Sequence, residues 1–410
     1  MSSPASTRLP RDVWVLSLIG FLVAVGFGVV VPVLPVFARS FGVSNAAVGV
    51  VVAAFAAVRL IVQPFCGAIN RAIGERTALG IGMVIVAASS AACGLSTSYP
   101  QLLAMRAAGG VGSAMFTVSA ITLLLRAASP GQRGRASALY SGGFLIGGMA
   151  GPAIGGLFSG ISLQAPFFFY AGTLLLAGLA GITMLSGRRQ ATRRTPDGRS
   201  AIGLRRAWTD VRYRAACLAN FATGWQSIGV RGALIPVLVT EQLGRSPGFS
   251  GFAFAVAAVV QGLFLTPVGR AVDRPGGRRR FVVLGGLICA AAALALGFSR
   301  SPWWLVAALC VYGAGASMLS TAPTALVGDA LGQARSTPVA IFQMTSDLGS
   351  ILGPILAGVV ADRVSLPVAF TLGALLLAVS AGYGLLVPKE PPTPTELLRP
   401  KEPLVPKEPR

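Results

Sequence analysis

The chain has 410 residues, of which 54% are hydrophobic and 11% charged, and its formal net charge is +21. It contains no histidine, which excludes histidine-based zinc sites, catalytic triads and proton relays. Its five cysteines lie in apolar stretches without CxxC spacing. We therefore expect them to be small packing residues, with no disulfide framework, no metal site and no cofactor.

Apolar stretches of about twenty residues recur along the chain, and a helix of roughly this length crosses a hydrocarbon core of about 30 Å. We therefore predict an all-α membrane protein with twelve transmembrane helices in two pseudo-symmetric six-helix bundles. The predicted helices lie near 12–38, 46–70, 76–95, 101–127, 134–159, 165–186, 213–242, 249–271, 280–298, 302–328, 336–361 and 366–387.

The helices define the domain boundaries. After a cytoplasmic segment at 1–11, we expect an N-terminal bundle at 12–186 and a C-terminal bundle at 213–387. The basic linker at 187–212 suits, in its second part, either a short helix on the inner membrane surface or a solvated loop. Residues 388–410 repeat Pro-Lys-Glu-Pro three times, which predicts a disordered tail, either passive or able to bind a partner.

The positive charge is concentrated on alternate connections between helices. Arginines crowd the linker region between 188 and 214, whereas the opposite connections carry only Arg39, Arg245, Arg300 and Arg363. Because positive residues stay on the cytoplasmic side, we predict that the linker and both termini are inside the cell. The charge then reports membrane topology and contact with the lipid bilayer, and we expect no nucleic-acid partner.

Two motifs recur at a single offset of 202 residues. Glycines four apart, followed by a proline, occur at Gly147, Gly151, Pro152, Gly155 and Gly156. Their copies are Gly349, Gly353, Pro354 and Gly358. A loop motif at Gly67, Gly74 and Arg76 recurs as Gly269, Gly276 and Arg278. Each half is therefore predicted to be a copy of the other, as in transporters that rock two bundles about a central site.

The glycine–proline motif on predicted helix 5 suits a gate. Glycines four apart form a groove for a neighbouring helix, and Pro152 removes a backbone hydrogen bond and bends its helix. Tight static packing is the alternative interpretation.

Two more motifs precede it in the chain. Predicted helix 1 carries Gly28-xxx-Pro32-xx-Pro35, and predicted helix 4 carries Arg106-xx-Gly109-Gly110-x-Gly112. Together with the motif of helix 5, they resemble the motifs of the major facilitator superfamily, in its twelve-helix drug–proton antiporter group. The resemblance covers residues 12–387. It implies a proton-coupled exporter of small amphipathic organic molecules or drugs, and no enzymatic activity.

One motif departs from this family pattern. In the loop after helix 2, Arg71 stands where such carriers have an aspartate. The second copy keeps Asp273 and Arg274 before Gly276, so the resemblance implies that the stronger cytoplasmic latch lies around Asp273.

Four ionisable residues lie well inside predicted helices: Arg59, Arg106, Arg231 and Asp347. Placing each of them in the membrane costs about 2.5–3.5 kcal/mol on insertion scales, so we expect each to have a structural or functional role. We expect Asp347, Arg59 and Arg106 to take part in proton coupling. Asp347 either holds a structural ion pair or takes up a proton in one state and pairs with an arginine or a cationic substrate in another. Arg59 is its predicted partner, and Arg231 is the rival.

We expect a central cavity between the halves that binds a small-molecule substrate, with protons as the coupling ion. The polar and apolar side chains predicted to line it are Arg59, Gln63, Phe144, Trp225, Gln226, Arg231, Phe254, Gln261 and Gln343. A few polar groups in an apolar pocket suit varied ligands. We expect a monomer in a bacterial-type inner membrane. The alternative is an importer or facilitator of a small polar nutrient or organic anion. No nucleophile–base pair or phosphate loop supports an enzyme.

Overall fold

The computed structural model describes residues 9–128, 132–185, 207–272, 274, 276–331 and 336–388. Throughout these residues the regular structure is helical. Most of the predicted linker, Asp273 and nearly all of the proline-rich tail lie outside the described residues.

The first half contains six helices, some of them interrupted. They are α1 (Arg11–Arg39, a helix Arg11–Val30 and a short helix Leu34–Arg39), α2 (Asn45–Ile73, with a 3₁₀ turn at Gln63–Phe65), α3 (Glu75–Gly94), α4 (Tyr99–Ala127), α5 (Arg133–Ser159) and α6 (Ala165–Met184).

The second half repeats this order. It contains α7 (211–242), α8 (Pro247–Val272), α9 (Gly277–Gly297), α10 (Pro302–Leu331), α11 (Ser336–Arg363) and α12 (Leu366–Gly384). Eleven of the twelve segments are long and apolar enough, by length and composition, to cross a membrane. The prediction of an all-α fold with twelve helices is confirmed.

The remaining segment, α7, differs from the prediction in its regularity. Two π-helical stretches, Gly224–Val230 and Leu238–Gln242, interrupt its α-helical turns. It begins at Val211 because the Asp210 side chain accepts a hydrogen bond from the Arg212 backbone N–H, 2.8 Å away, and caps the first turn. Such π-stretches are rare and occur frequently at functional sites.

Equivalent helix pairs hold each half together. α5 packs along α1 and α11 packs along α7, and in both pairs the recurrent glycines allow the close approach. A Cβ atom at Gly151 would lie 2.6 Å from Gly28 Cα, and one at Gly353 would lie 2.6 Å from Trp225 O. No side chain fits at these distances, so the predicted groove is a helix-packing surface.

The two halves meet through α2 with α11 and through α5 with α8. These contacts are tightest at the end of the bundle where α1 ends and α2 begins, which we name the closed end. There, a Cβ atom at Gly156 would lie 3.4 Å from Gly251 Cα, and one at Gly49 would clash with Pro354 O. We name the opposite end, where α6 ends and α7 begins, the linker end.

Polar contacts also join the halves at the closed end. Arg39 Nε lies 2.6 Å from Glu241 Oε1, and the two residues are 202 positions apart, the offset of the repeat. The Asp362 carboxylate accepts hydrogen bonds from the backbone N–H groups of Asn45 (2.9 Å) and Ala46 (2.7 Å), at the first turn of α2. An anion at a helix N-terminus is favourable, so α11 caps α2 across the interface.

At the linker end each half has an ion pair between its third and fourth helices. In the first half, Glu75 of α3 lies 2.8 Å from Arg126 of α4. In the second half, Arg278 of α9 pairs with Asp329 of α10. An ion pair thus joins the third and fourth helices of both halves. The acid lies on the third helix in the first half and on the fourth helix in the second half.

Candidate functional site

The centre of the candidate site is an ion pair between the halves. Arg59 Nη2 of α2 lies 2.5 Å from Asp347 Oδ1 of α11. The pair predicted from the sequence is therefore present, and the rival pairing with Arg231 is not observed. Arg59 lies fourteen residues from each end of α2, Asn45 and Ile73, about 21 Å at 1.5 Å per residue, so the pair lies near the middle of this helix.

The pair borders a gap. The side chains of Arg59 and Asp347 keep 29% and 23% of their area exposed. Charged groups at this depth do not face lipid, so the exposed area indicates a space between the halves. Because the closed end is shut by the contacts above, this space opens toward the linker end.

Arg106 of α4 lies next to this pair without joining it. Its side chain is only 6% exposed, and its guanidinium carbon lies 4.5 Å from the centre of the Phe55 ring and 5.7 Å from that of Phe27. Among the described residues, its Nε has no hydrogen-bond partner. Phe55 lies one turn before Arg59 on α2, so one helix face links Arg106 to the ion pair.

Arg231 of α7 has a similar setting in the other half. Its guanidinium carbon lies 5.1 Å from the centre of the Tyr312 ring and 5.6 Å from that of Phe254. Its Nε donates a hydrogen bond to Ser227 O, 3.3 Å away, in the first π-helical stretch. The hydroxyl groups of Tyr312 and Ser227 are 3.0 Å apart.

The other predicted cavity residues divide into two groups. Gln63, Phe144, Gln261 and Gln343 keep partial or full exposure, and Gln343 lies one turn from Asp347 on α11. Trp225, Gln226 and Phe254 are buried within the second half. Gln226 is fully buried and its amide lies against Gly373 of α12, away from α2 and α11. These three therefore do not line the gap in this conformation.

The gating motifs have two sides. Gly147, Gly151 and Gly155 face α1, while Gly156 and the Pro152 carbonyl face Gly251 of α8 in the other half. In the copy, Gly349 and Gly353 face α7, while Pro354 and Gly358 face the start of α2. Each copy of the motif therefore contributes both to helix packing within its own half and to the contact with the other half.

The loop motif is present as a turn in both halves. Gly74 and Gly276 have φ values of +85° and +71°, a region that favours glycine. Gly67 and Arg76 flank Gly74, and Gly269 and Arg274 precede Gly276. Arg278 forms the pair with Asp329, whereas the latch predicted around Asp273 falls outside the described residues.

Sequence reasoning missed Asp362 and the Arg39–Glu241 pair. The 202-residue spacing of Arg39 and Glu241 was a usable signal, because repeat-equivalent residues near a two-fold axis lie close together. It also missed the rings of Phe27, Phe55 and Tyr312, which resemble ordinary core residues in an apolar sequence.

Comparison with known proteins identifies the class. The family model of the Major Facilitator Superfamily matches residues 16–230 and 216–409. The chain therefore belongs to this superfamily and is a multi-pass membrane transporter.

The chain is similar to three proteins of known name or structure. The quinolone resistance protein NorA of Staphylococcus aureus (strain MSSA476) is 23% identical over 381 residues, which cover 90% of this chain and 95% of NorA. The multidrug efflux protein YfmO of Bacillus subtilis (strain 168) is 24% identical over 382 residues, covering 92% of each chain. The crystal structure of a bacterial homolog to the human lysosomal transporter Spinster, inward-facing and occupied, matches with a TM-score of 0.67 at 18% identity, covering 94% of this chain and 97% of that one.

Proposed function

We propose that this transporter is a proton-coupled exporter of small amphipathic organic molecules in a bacterial inner membrane, with both termini cytoplasmic. Its similarity to two multidrug transporters along nearly the whole chain supports export. The arginines at the linker end support a cytoplasmic position for that end. With that orientation, the described conformation opens to the cytoplasm.

The observation that carries the proposal is the ion pair between the halves at Arg59 and Asp347. Rocking the halves to open the closed end separates α2 from α11 and lengthens this contact. The freed carboxylate then takes up a proton from outside. When the halves return, Arg59 again approaches Asp347 and displaces the proton into the cytoplasm.

Substrate movement is coupled to this cycle. In the inward-open state the deprotonated, paired Asp347 leaves the gap open to cytoplasmic substrate. Separating the pair leaves an uncompensated charge, which costs about 3–5 kcal/mol for a buried pair, so the outward-open state is unfavourable until Asp347 binds a proton from outside. One proton then enters for each cycle that carries substrate outward.

Efflux in a bacterial host that lacks its own multidrug transporters tests the proposal. Cells expressing the protein should export fluorescent amphipathic dyes and gain resistance to toxic compounds, and an uncoupler should abolish both effects. An empty vector is the control. Unchanged sensitivity across a broad panel, together with restored uptake of one nutrient, would instead establish the importer.

An importer or facilitator of an organic anion is the second candidate. It is favoured by the presence of three arginines and one carboxylate well inside the described helices. This imbalance bears on the charge of the substrate and is independent of the direction of transport.

A further inference from the structure

The charges inside the helices do not balance. Among the described residues well away from helix ends, Arg59, Arg106 and Arg231 oppose the single carboxylate of Asp347. Asp347 pairs with Arg59, and no described carboxylate forms an ion pair with Arg106 or Arg231. The membrane interior therefore holds two guanidinium groups without a counter-charge. Ionisable residues at such depth usually mark a substrate or ion pathway.

The two arginines occupy the same corner of each half. Arg106 on α4 packs on rings from α1 and α2. Arg231 on α7 packs on rings from α8 and α10. By the 202-residue offset, α1, α2 and α4 are equivalent to α7, α8 and α10. Both arginines therefore lie among equivalent sets of three helices, but Arg106 is on the fourth helix of its half and Arg231 is on the first helix of its half.

This arrangement is not inherited from the repeat. The repeat-equivalent residue of Arg106 is Ala308, and that of Arg231 is Val29. The caged guanidinium therefore lies at a different position of the repeat in each half. Static packing alone gives no reason for two independent cations at matching corners of an apolar interior, whereas a ligand that needs positive charge on both sides of the gap does.

Arg231 is the more accessible of the two. Its side chain is partly exposed, while that of Arg106 is buried. Only its Nε hydrogen-bonds to the described residues, so its Nη groups remain available as donors. Arg231 also begins the stretch Arg231–Val237 that packs on α1 and α2 of the other half near the closed end. It therefore lies beneath the closed end, where a ligand entering from the linker end would stop.

We infer that the transported molecules are organic anions, with a carboxylate or sulfonate on an apolar body, and that Arg231 binds the anionic group. This inference rests on the proposed function for the existence of a central site. Charge-assisted hydrogen bonds from the Nη groups bind the anion, and the positive potential of Arg106 adds to the attraction. The apolar body packs against the surrounding aliphatic side chains.

Binding of three probes of equal size tests the inference. The purified full-length protein, in nanodiscs of zwitterionic lipid, is titrated with 2-naphthalenesulfonate, neutral 2-naphthalenemethanol and cationic 2-naphthylmethylammonium, and naphthalene fluorescence reports binding. The anion should bind at least about tenfold more tightly than the neutral probe, as expected for one charge-assisted interaction. The cation should bind most weakly.

Variants assign the effect to one side chain. Arg231→Gln should lower the affinity for the anion to that for the neutral probe and leave the neutral probe unchanged. Arg231→Lys should retain part of the preference. Arg300→Gln, an exposed arginine on the connection between α9 and α10, is the matched control and should bind all three probes like the parent.

Two results would overturn the inference. One is tighter or equal binding of the cation or the neutral probe by the parent protein, which needs no variant to fold. The other is an equal loss of all three probes in Arg231→Gln, which indicates a structural role.

Efflux of the same probes from loaded cells separates this inference from the proposed function. Uncoupler-sensitive export of the cation but not the anion would leave the exporter intact and refute anion recognition. Anion-selective binding without uncoupler-sensitive export of any probe would support anion recognition and refute the exporter.

Discussion

At the scale of single residues, the site depends on one carboxylate and its partner. Asp347 lies on the face of α11 that meets α2, and the Ser350 hydroxyl donates to its backbone carbonyl, 2.8 Å away, one turn on. The carboxylate itself bonds to Arg59, and part of its surface is exposed. It is therefore held by a single cation and open to protons.

Asp347→Asn should abolish uncoupler-sensitive efflux while leaving the protein inserted and folded. The amide keeps the shape and one hydrogen-bond acceptor but does not ionise. Efflux assays with size-exclusion chromatography measure both properties. Asp329→Asn, at the linker-end pair with Arg278, is the control and should keep the majority of the activity. Full, uncoupler-sensitive efflux by Asp347→Asn would remove this residue from the mechanism.

Arg59→Gln and Asp347→Asn should not have additive effects on transport. Contacting charged residues typically show coupling energies of about 0.5–3 kcal/mol in a double-mutant cycle. Once the carboxylate is lost, removal of Arg59 should therefore cost little more. Initial efflux rates of the two single variants, the double variant and the parent give this coupling, and independent effects would show that the contact is not used in turnover.

The sequence allowed the Arg59–Asp347 pair to be predicted because only one acid lies deep in a helix and α2 meets α11 in the related family. The cages around Arg106 and Arg231 were not predictable in the same way. Whether Phe27 faces an arginine or lipid depends on the rotation of α1, and an almost uniformly apolar helix carries no periodic signal for that rotation.

At the scale of helices, α5 and α11 each serve two neighbours. Their glycines face one helix of the same half, and the residues beside the proline face the other half. A change in the packing of the glycines within one half thus alters the position of the residues that contact the other half. Motion of the halves is consequently coupled to packing within each half.

Gly151→Leu should reduce turnover strongly, because a Cβ atom there would lie 2.6 Å from Val25 O and from Gly28 Cα on α1. Overpacking of this kind costs typically about 1–3 kcal/mol. Gly148→Leu lies on the same helix, where an added Cβ meets nothing within 4 Å, and it should transport normally. Equal efflux rates for the two variants would contradict a role for the groove.

Helix 7 shows the limit of prediction at this scale. Its length and position followed from hydropathy, but the two π-helical stretches did not. The extra residue in each wide turn rotates the side chains that follow, so a regular 3.6-residue period misplaces them. Gln226, in the first of these stretches, was predicted to line the cavity as a polar residue within a helix, and it packs against Gly373 instead.

At the scale of the whole molecule, the contacts at the two ends determine which conformation is described. The closed end is held by the Asp362 cap, the Arg39–Glu241 pair and the contact between α5 and α8. Opening it requires all three to separate together. The gap at the linker end and the closed opposite end therefore belong to the same conformation.

The orientation in the membrane is expected to follow the arginines. In a variant with its five native cysteines replaced, a cysteine at the exposed Gln164, between α5 and α6, should react with an impermeant thiol reagent added to intact cells. A cysteine at Thr195 of the linker should react only after the cells are opened. Labelling of Thr195 in intact cells would reverse the topology.

Arg39→Glu should open the closed end, because it places two carboxylates opposite each other. A cysteine at Gln343, in the gap, should then be labelled faster from outside. The effect should be about fivefold or less, since exposed ion pairs contribute about 0.2–1 kcal/mol. The exchanged variant, Arg39→Glu with Glu241→Arg, should restore the parent rate. Failure of the exchange to restore it would show that the pair does not hold this end.

The Arg39–Glu241 pair also bears on the evolutionary origin of the chain. Arg39 and Glu241 occupy one position of the repeat, counted in each half. In an ancestor with two identical halves, that position faced its own copy, so the two facing residues were identical. An arginine could face a glutamate there only after the two copies had diverged. This salt bridge is therefore younger than the duplication, and the ancestral protein closed this end without it.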